Sequence, residues 1–275
     1  MRVLIIQENG HHDENRNYRE CFCLQRGFKS NGVDSDVWGK GHDNYETEPD
    51  WESYDLVFSI ENWDWMPDLS KVQTKKCIWA IDAHCKGTDI YNQIADDNNF
   101  DRVLHATPAF AEDECWFPNC YDDTLIKPSS GETSGIGFCG NINNRGQLLQ
   151  SIKSKFPDRF RLDEFVIGDA MVEAINSYDI HWNANIGCDI NYRNFETMGC
   201  NTLLLTSSHS HYGPLQLIHG VSCFIYRSQE EMLELIEYLL ENKDLRDKVA
   251  REGYDIAKNC HTYNHRAKTL KELIK

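Results

Sequence analysis

The sequence predicts an α/β protein made of two Rossmann-like halves with mainly parallel sheets. Three observations carry that expectation. Short, continuous apolar runs of buried-strand type alternate with helical stretches along the chain. A polar segment, Lys127-Pro128-Ser129-Ser130-Gly131-Glu132-Thr133-Ser134-Gly135, separates two sets of such runs. At 275 residues the chain is long enough for two domains of ordinary size.

The elements follow in order. Val3–Ile6 reads as a first strand and Tyr18–Lys29 as a helix stopped by Asn31-Gly32. Val33–Trp38, Leu56–Ile60, Cys77–Ile81 and Val103–Ala106 read as four more strands. After the polar segment, Ile136–Cys139 opens the second set, and a turn at Gly140–Asn144 leads into a helix from about Arg145 to Lys155. Further strands are expected at Phe165–Ile167, Ile180–Trp182, Thr202–Thr206 and Ser222–Tyr226. Ser228-Gln229-Glu230-Glu231 is a capping box. Behind it Met232, Ile236, Leu239 and Leu240 form one apolar stripe. Leu245, Val249 and Ile256 mark a second C-terminal helix, and Ala267, Leu270 and Ile274 a terminal one. The expected domains are 1–128, 129–260 and a closing helix at 261–275. Ligands of paired sheets of this kind sit at the carboxyl ends of strands, so a cleft between the halves is the expected binding region.

Composition narrows the function. Hydrophobic residues make up 40% of the chain, enough for real cores. No apolar run approaches the ~18–20 residues of a membrane span, and the N-terminal apolar run is too short for a signal-peptide core, so a cytoplasmic protein is expected. The eleven cysteines are odd in number and irregular in spacing, which fits reduced thiols rather than a disulfide framework. Lys plus Arg is 28 against 44 Asp plus Glu, a formal charge of −16. That balance disfavours a face gripping a long polyanion and leaves room for a local cationic pocket.

Several segments can carry chemistry. In Asp189–Gly199, DINYRNFETMG, Asp189 suits an N-cap and Gly199 a stop, which predicts a helix with Asp189, Arg193 and Glu196 on one face. A helix N-terminus with a nearby guanidinium fork, Arg193, suits a phosphate, and Glu196 can accept hydrogen bonds from hydroxyls. Spacing alone leaves open an exposed helix with an ordinary Arg–Glu pair worth ~0–1 kcal/mol. Gly140-Asn141-Ile142-Asn143-Asn144-Arg145 can form an anion-binding turn, or a plain strand–helix connection; it is neither GxGxxG nor a P-loop. Asp82 and His84, just past a buried strand, can act as base or hydroxyl grip, or as a helix cap and a solvent-facing His. Asp34-Ser35-Asp36 has DxD spacing, but two acids at a strand start account for it. Cys21, Cys23 and the His11-His12 pair match no common zinc spacing. No metal site is expected.

The second half of the chain resembles a known family. Trp182-Asn183, Asp189–Cys200 (DINYRNFETMGC) and Leu203–Thr206 (LLLT) are similar to the CgeB-like, spore-maturation type glycosyltransferases. So are Tyr226–Glu231 (YRSQEE) and His261–Arg266 (HTYNHR), and, upstream, Trp79–His84 (WAIDAH) and Trp116–Asp122 (WFPNCYD). The resemblance implies a GT-B fold, with the donor nucleotide on the second domain, the acceptor on the first, and the last helix, 261–275, packing back toward the N-terminal domain. It implies a metal-independent transfer of a hexose or pentose from a nucleotide-diphosphate sugar, with no further cofactor. It lends donor-binding roles to Gly140, Asn141, Arg145, Asn183, Asp189, Asn191, Arg193 and Glu196, with Glu196 on the ribose, and acceptor-side roles to Asp82 and His84. Related retaining enzymes often carry a second Glu eight residues before the ribose-binding one; that position is Cys188, so its role is not carried over. The acceptor stays open among glycan, protein, small molecule and modified nucleic-acid base. A nucleotide-sugar hydrolase or epimerase and a non-catalytic nucleotide-sugar-binding protein stand as alternatives.

Overall fold

A computed structural model describes residues 1–62, 64–111 and 115–273. The chain divides into two compact units. The first comprises Met1–Asp122, Gly187–Asp189 and the residues from Thr262 on; the second comprises Asp123–Ile186 and Ile190–His261. The sequence placed the first boundary after residue 128; the division falls at Asp122/Asp123, so the polar 127–135 segment belongs to the second unit.

The first unit is a five-stranded parallel sheet in the order β2-β1-β3-β4-β5. Its strands are β1 Arg2–Ile6, β2 Asp34–Trp38, β3 Leu56–Ile60, β4 Lys75–Ala80 and β5 Arg102–His105. β3 is buried along its whole length and β4 at all but its first residue, which is why they read as mostly apolar runs, interrupted at Ser59 and Lys76, rather than as alternating strands. Helices α1 Glu20–Ser30, α2 Ala83–Lys86 and α3 Asp89–Asp97 follow β1 and β4. α1 turns Cys21, Cys23, Leu24, Gly27 and Phe28 inward. A Cβ at Gly27 would lie 2.4 Å from the Tyr263 carbonyl oxygen, so only glycine admits the last helix, α9 Tyr263–Leu273, at this distance. α9 is anchored by Arg266, whose Nε donates to the Pro118 carbonyl at 2.7 Å and whose Nη2 donates to that of Asn119 at 3.1 Å. Ala267 and Leu270 of the expected terminal stripe are buried, and Ile274 lies outside the described residues.

The second unit is another five-stranded parallel sheet, ordered β10-β9-β8-β6-β7. The strands are β6 Ile136–Gly140, β7 Phe160–Glu164, β8 Ile180–Asn183, β9 Leu203–Ser207 and β10 Phe224–Tyr226. The helices are α4 Gly146–Lys155, α5 Gly168–Asn176, α6 Tyr192–Gly199, α7 Gln229–Glu241 and α8 Lys243–Cys260. One core gathers Phe138, Trp182, Leu205 and Tyr226 of the sheet with Met232, Ile236 and Leu239 of α7. Ser228 caps α7 by accepting the Glu231 N–H at 3.1 Å, while the Glu231 carboxylate reaches back to the Arg227 N–H at 2.6 Å. The capping box thus closes one residue earlier than its usual reciprocal form.

Two expectations are corrected. The strand expected at Phe165–Ile167 is Phe160–Glu164 instead, paired with β6 from Ile136↔Phe160 to Gly140↔Glu164. β7 is an edge strand with a mixed sequence, FRLDE, and no apolar run marks it; Phe165 has left-handed backbone (φ 60°) and is 68% exposed. The helix expected from Asp189 begins at Tyr192, with Asn191 as its N-cap in extended backbone (ψ 165°). Asp189 therefore shares no helical face with Arg193 and Glu196.

Candidate active site

In the second unit the carboxyl ends of β6 and β8 and the N-terminus of α6 bring most of the sequence-predicted donor residues together. β6 ends at Gly140 in a backbone conformation (φ 144°) that a side chain rarely adopts. A Cβ there would stand 3.7 Å from Nε and 3.8 Å from Nη2 of Arg193, so the bare strand end lies open against that guanidinium. Arg193, in the first turn of α6, donates from Nε to the Cys139 carbonyl at 2.8 Å and pairs through Nη1 with the Glu196 carboxylate. The pair is not a surface pair: the side chains are 20% and 14% exposed. A partly buried guanidinium held in place in this way, with one side toward a glycine, has the fixed geometry that can receive an anion.

His181 locks this helix to the sheet. Its Nε2 accepts the Cys139 N–H at 3.2 Å, which leaves Nδ1 as the protonated nitrogen facing the Thr197 hydroxyl at 2.6 Å. The Thr197 hydroxyl in turn donates to the Arg193 carbonyl at 2.6 Å. Complete burial, and secondarily the Arg193 charge, hold the His181 imidazole well below its usual pKa, so it stays neutral.

Asn183, at the end of β8, is fully buried in a net of amides and hydroxyls. Its Nδ2 reaches Thr206 Oγ1 at 3.2 Å and Asn194 Oδ1 at 3.3 Å, and its Oδ1 accepts from Asn191 Nδ2 at 3.3 Å. Asn194 Nδ2 donates to Asn185 Oδ1 at 2.9 Å and to the Asn191 carbonyl at 3.0 Å, and Tyr212 and Asn185 join through a 2.6 Å bond. Asn183 and Asn191 thus shape the loop that leads into α6. Arg145 is nearly buried, donating from Nε to the Ala184 carbonyl at 2.9 Å and from Nη1 to the Asn141 carbonyl at 3.2 Å. It ties the turn after β6 to the segment after β8.

Asp82 and His84 lie in the first unit, Asp82 as the N-cap of α2 after β4 and His84 in the single turn of that helix. The Asp82 side chain is exposed and makes no capping bond to α2, whereas His84 has its Nδ1 buried with no hydrogen-bond partner among the described residues. Asp189 also clusters with this unit; its charge and that of Asp82 both act, after burial, to raise the Cys85 thiol pKa. Sequence reading missed Glu61, which follows β3. Glu61 Oε1 accepts the N–H groups of Ile81 and Asp82, the latter at 2.8 Å, and Oε2 accepts the Tyr91 hydroxyl at 2.8 Å. Asn185, Asn194, Thr206 and Tyr212 were missed as well; Thr206 closes the apolar LLLT run, and the other three stand outside any apolar run and give no local signal. The DxD acid Asp36 is taken by Arg2 at 2.8 Å and the Tyr54 hydroxyl at 2.9 Å. Among the described residues no three His, Cys, Asp or Glu side chains gather into a metal-holding group.

Comparison with known proteins adds to this geometry. Residues 140–272, just under half of the chain, match the family model described as glycosyl transferase-like. No curated protein sequence matches. Among solved structures, AviGT4, a glycosyltransferase involved in avilamycin A biosynthesis, superposes with a TM-score of 0.67 at 9% identity, over 99% of this chain and 96% of that one. Anabaena Alr3699/HepE in complex with UDP-glucose gives 0.65 at 11% identity, over 100% and 99% of the two chains. A Listeria monocytogenes protein assigned as a UDP-N-acetylglucosamine 2-epimerase gives 0.57 at 11% identity, over 99% and 94%. Each half of the chain is thus a Rossmann-like α/β sheet of the GT-B glycosyltransferase type. No helix among the described residues is long and apolar enough to cross a membrane.

Proposed function

We propose that the protein transfers a sugar from a nucleotide-diphosphate donor, bound by the second unit, to an acceptor handled by the first. The observation that carries this reading is that the glycosyl transferase-like match, residues 140–272, begins at Gly140, the last residue of β6, and takes in Arg193 and Glu196. The UDP-glucose complex of the similarly folded HepE supports a uridine nucleotide as the first donor to try.

In this reading Glu196 holds the donor ribose, through carboxylate oxygen not engaged by Arg193. The diphosphate sits at the N-terminus of α6, against Gly140 and Arg193. As the bond from the anomeric carbon to the diphosphate breaks, negative charge gathers on the leaving group, and the sugar takes on oxocarbenium character. Donors already aimed at that position stabilise the charge without reorganising, the term that usually dominates such catalysis. Arg193 and the helix N–H groups supply it here, which is the ground for proposing a metal-independent reaction. Asp82, exposed in its turn, is the proposed acceptor-side base, with His84 as a hydroxyl grip.

The test is product analysis. Incubation with UDP-, GDP- and ADP-sugars and with glycan, protein, small-molecule and nucleic-acid acceptors should yield a glycosylated product by mass spectrometry with one equivalent of nucleoside diphosphate. Asp82→Asn together with His84→Ala should abolish transfer while nucleotide binding persists; full transfer by both variants removes their role. A second reading is favoured by the likeness to the Listeria epimerase: an enzyme that remakes or hydrolyses the nucleotide-sugar itself. It predicts altered or cleaved donor with no acceptor present, at rates matching turnover.

A further inference from the structure

Glu61 is a largely buried carboxyl that the proposed reaction leaves unused. It stands one residue past β3 with left-handed backbone, φ 55°, where a non-glycine residue is uncommon. Its own N–H donates to the Trp79 carbonyl at 3.2 Å, continuing the β3–β4 ladder past the end of the strand. That strained position aims the side chain along the carboxyl edge of β4. There one oxygen gathers two successive N–H groups, those of Ile81 and Asp82, and the other takes the Tyr91 hydroxyl of α3. The two N–H groups open the turn that carries Asp82 and His84. The next turn bonds, from the Cys85 and Lys86 N–H groups, close on the Asp82 carbonyl at 2.9 and 3.0 Å. The Asp82 peptide is therefore held from both sides, by Glu61 on its nitrogen and by α2 on its carbonyl.

We propose that Glu61 is the positioning residue of the Asp82–His84 turn, and that the charge state of its carboxyl is coupled to the setting of this turn. The functional part of the proposal rests on the glycosyl-transfer reading; the part concerning the turn does not. The ionisable groups facing Glu61 are Asp82, from the turn itself, and Tyr91, from α3; Cys85 of α2 lies beside Tyr91. Burial raises the Glu61 carboxyl to about 7, and the neighbouring Asp82 charge adds to the rise against the three donated hydrogen bonds. Below that point Glu61 is neutral and Asp82 carries the only carboxylate charge of the pair. Above it two carboxylates share one turn, and the repulsion falls on the residue proposed to act as base.

The test uses the 15N-labelled full-length chain, with the Ile81 and Asp82 amide resonances followed from pH 5.5 to 8.5. A single step with a midpoint near 7 is expected in the wild type, and its loss in E61Q, which keeps the acceptor oxygen and cannot ionise. No step in the wild type, or an unchanged step in E61Q, overturns the proposal. For the functional part, with a donor found by product analysis, E61A should lower kcat at least tenfold with donor KM within about threefold. E61Q should restore kcat and flatten its pH profile between 6 and 8. Full kcat in E61A removes the positioning role and leaves the glycosyl-transfer reading intact. A protein that turns over no nucleotide-sugar sinks that reading and, with it, the functional part, while the amide titration still decides the turn.

Discussion

Arg193→Lys keeps the charge of the proposed donor site and removes its fork. The guanidinium makes separate contacts through Nε to the Cys139 carbonyl and through Nη1 to Glu196, and no ammonium can reproduce that planar set. The variant should fold and bind nucleoside diphosphate at least tenfold more weakly by calorimetry, about 1.4 kcal/mol or more. Affinity within twofold of wild type would place the anion elsewhere. Residues of this kind were legible because their neighbours in sequence are their neighbours in space: Arg193 and Glu196 are three apart on one helix. Glu61 was not legible, since the turn it supports lies some twenty residues on and its other partner sits on α3. Asp189 misled for a related reason. It is a good capping residue by type, but the chain reaches helical backbone only after Asn191.

At the scale of elements, α6 hangs on buried polar bonds, and one consequence can be measured. Folded His181 resists protonation, whereas in the unfolded chain a histidine takes up a proton near pH 6.5. Below that pH the unfolded state binds the extra proton, so stability falls as pH drops under about 6.5 and is fully present above it. Glu61 acts with the opposite sign. Its folded pKa of about 7 exceeds the ordinary 4.5, so its contribution declines as pH rises through that window. In an E61Q background urea unfolding should therefore show stability rising more steeply from pH 5 to 6.5 than in the wild type; an identical slope in both would contradict the assignment. For α7, Ser228→Ala removes the acceptor of the Glu231 N–H and should cost about 1 kcal/mol in the same assay, with no change in nucleotide affinity. The elements themselves were readable where burial is two-sided. β3, LVFSI, is apolar in sequence but for Ser59 and is buried throughout in the fold. β7 is an edge strand, half exposed and mixed in composition, and carries no period to find. α3 and α5 escaped notice because each is nine residues long and turns few large apolar side chains inward.

For the whole molecule, the two sheets follow from alternating strand and helix patterns, and chain order alone fixes which residues belong to each. Chain order alone does not give the return of the C-terminus, which is expected only from the family resemblance. α9 joins the first unit through Gly27, Asn31 and the carbonyls of Pro118 and Asn119, contacts between residues far apart in sequence. Arg266→Ala strips two charge-assisted bonds from a nearly buried side chain and should destabilise the protein by about 2–3 kcal/mol in urea melts. Little or no change would mean that α9 is not anchored there. The formal charge of −16 makes the Arg193–Gly140 corner a local exception on an acidic protein, and binding of a nucleotide should weaken with added salt. The central claim is that this corner binds a nucleotide-sugar, and a thermal-shift panel of nucleoside diphosphates and nucleotide-sugars tests it most directly. At a hundred times its dissociation constant, at least one of these should stabilise the wild type by about 2.7 kcal/mol, with the shift reduced in Arg193→Lys. A panel in which none stabilises the protein would contradict the claim.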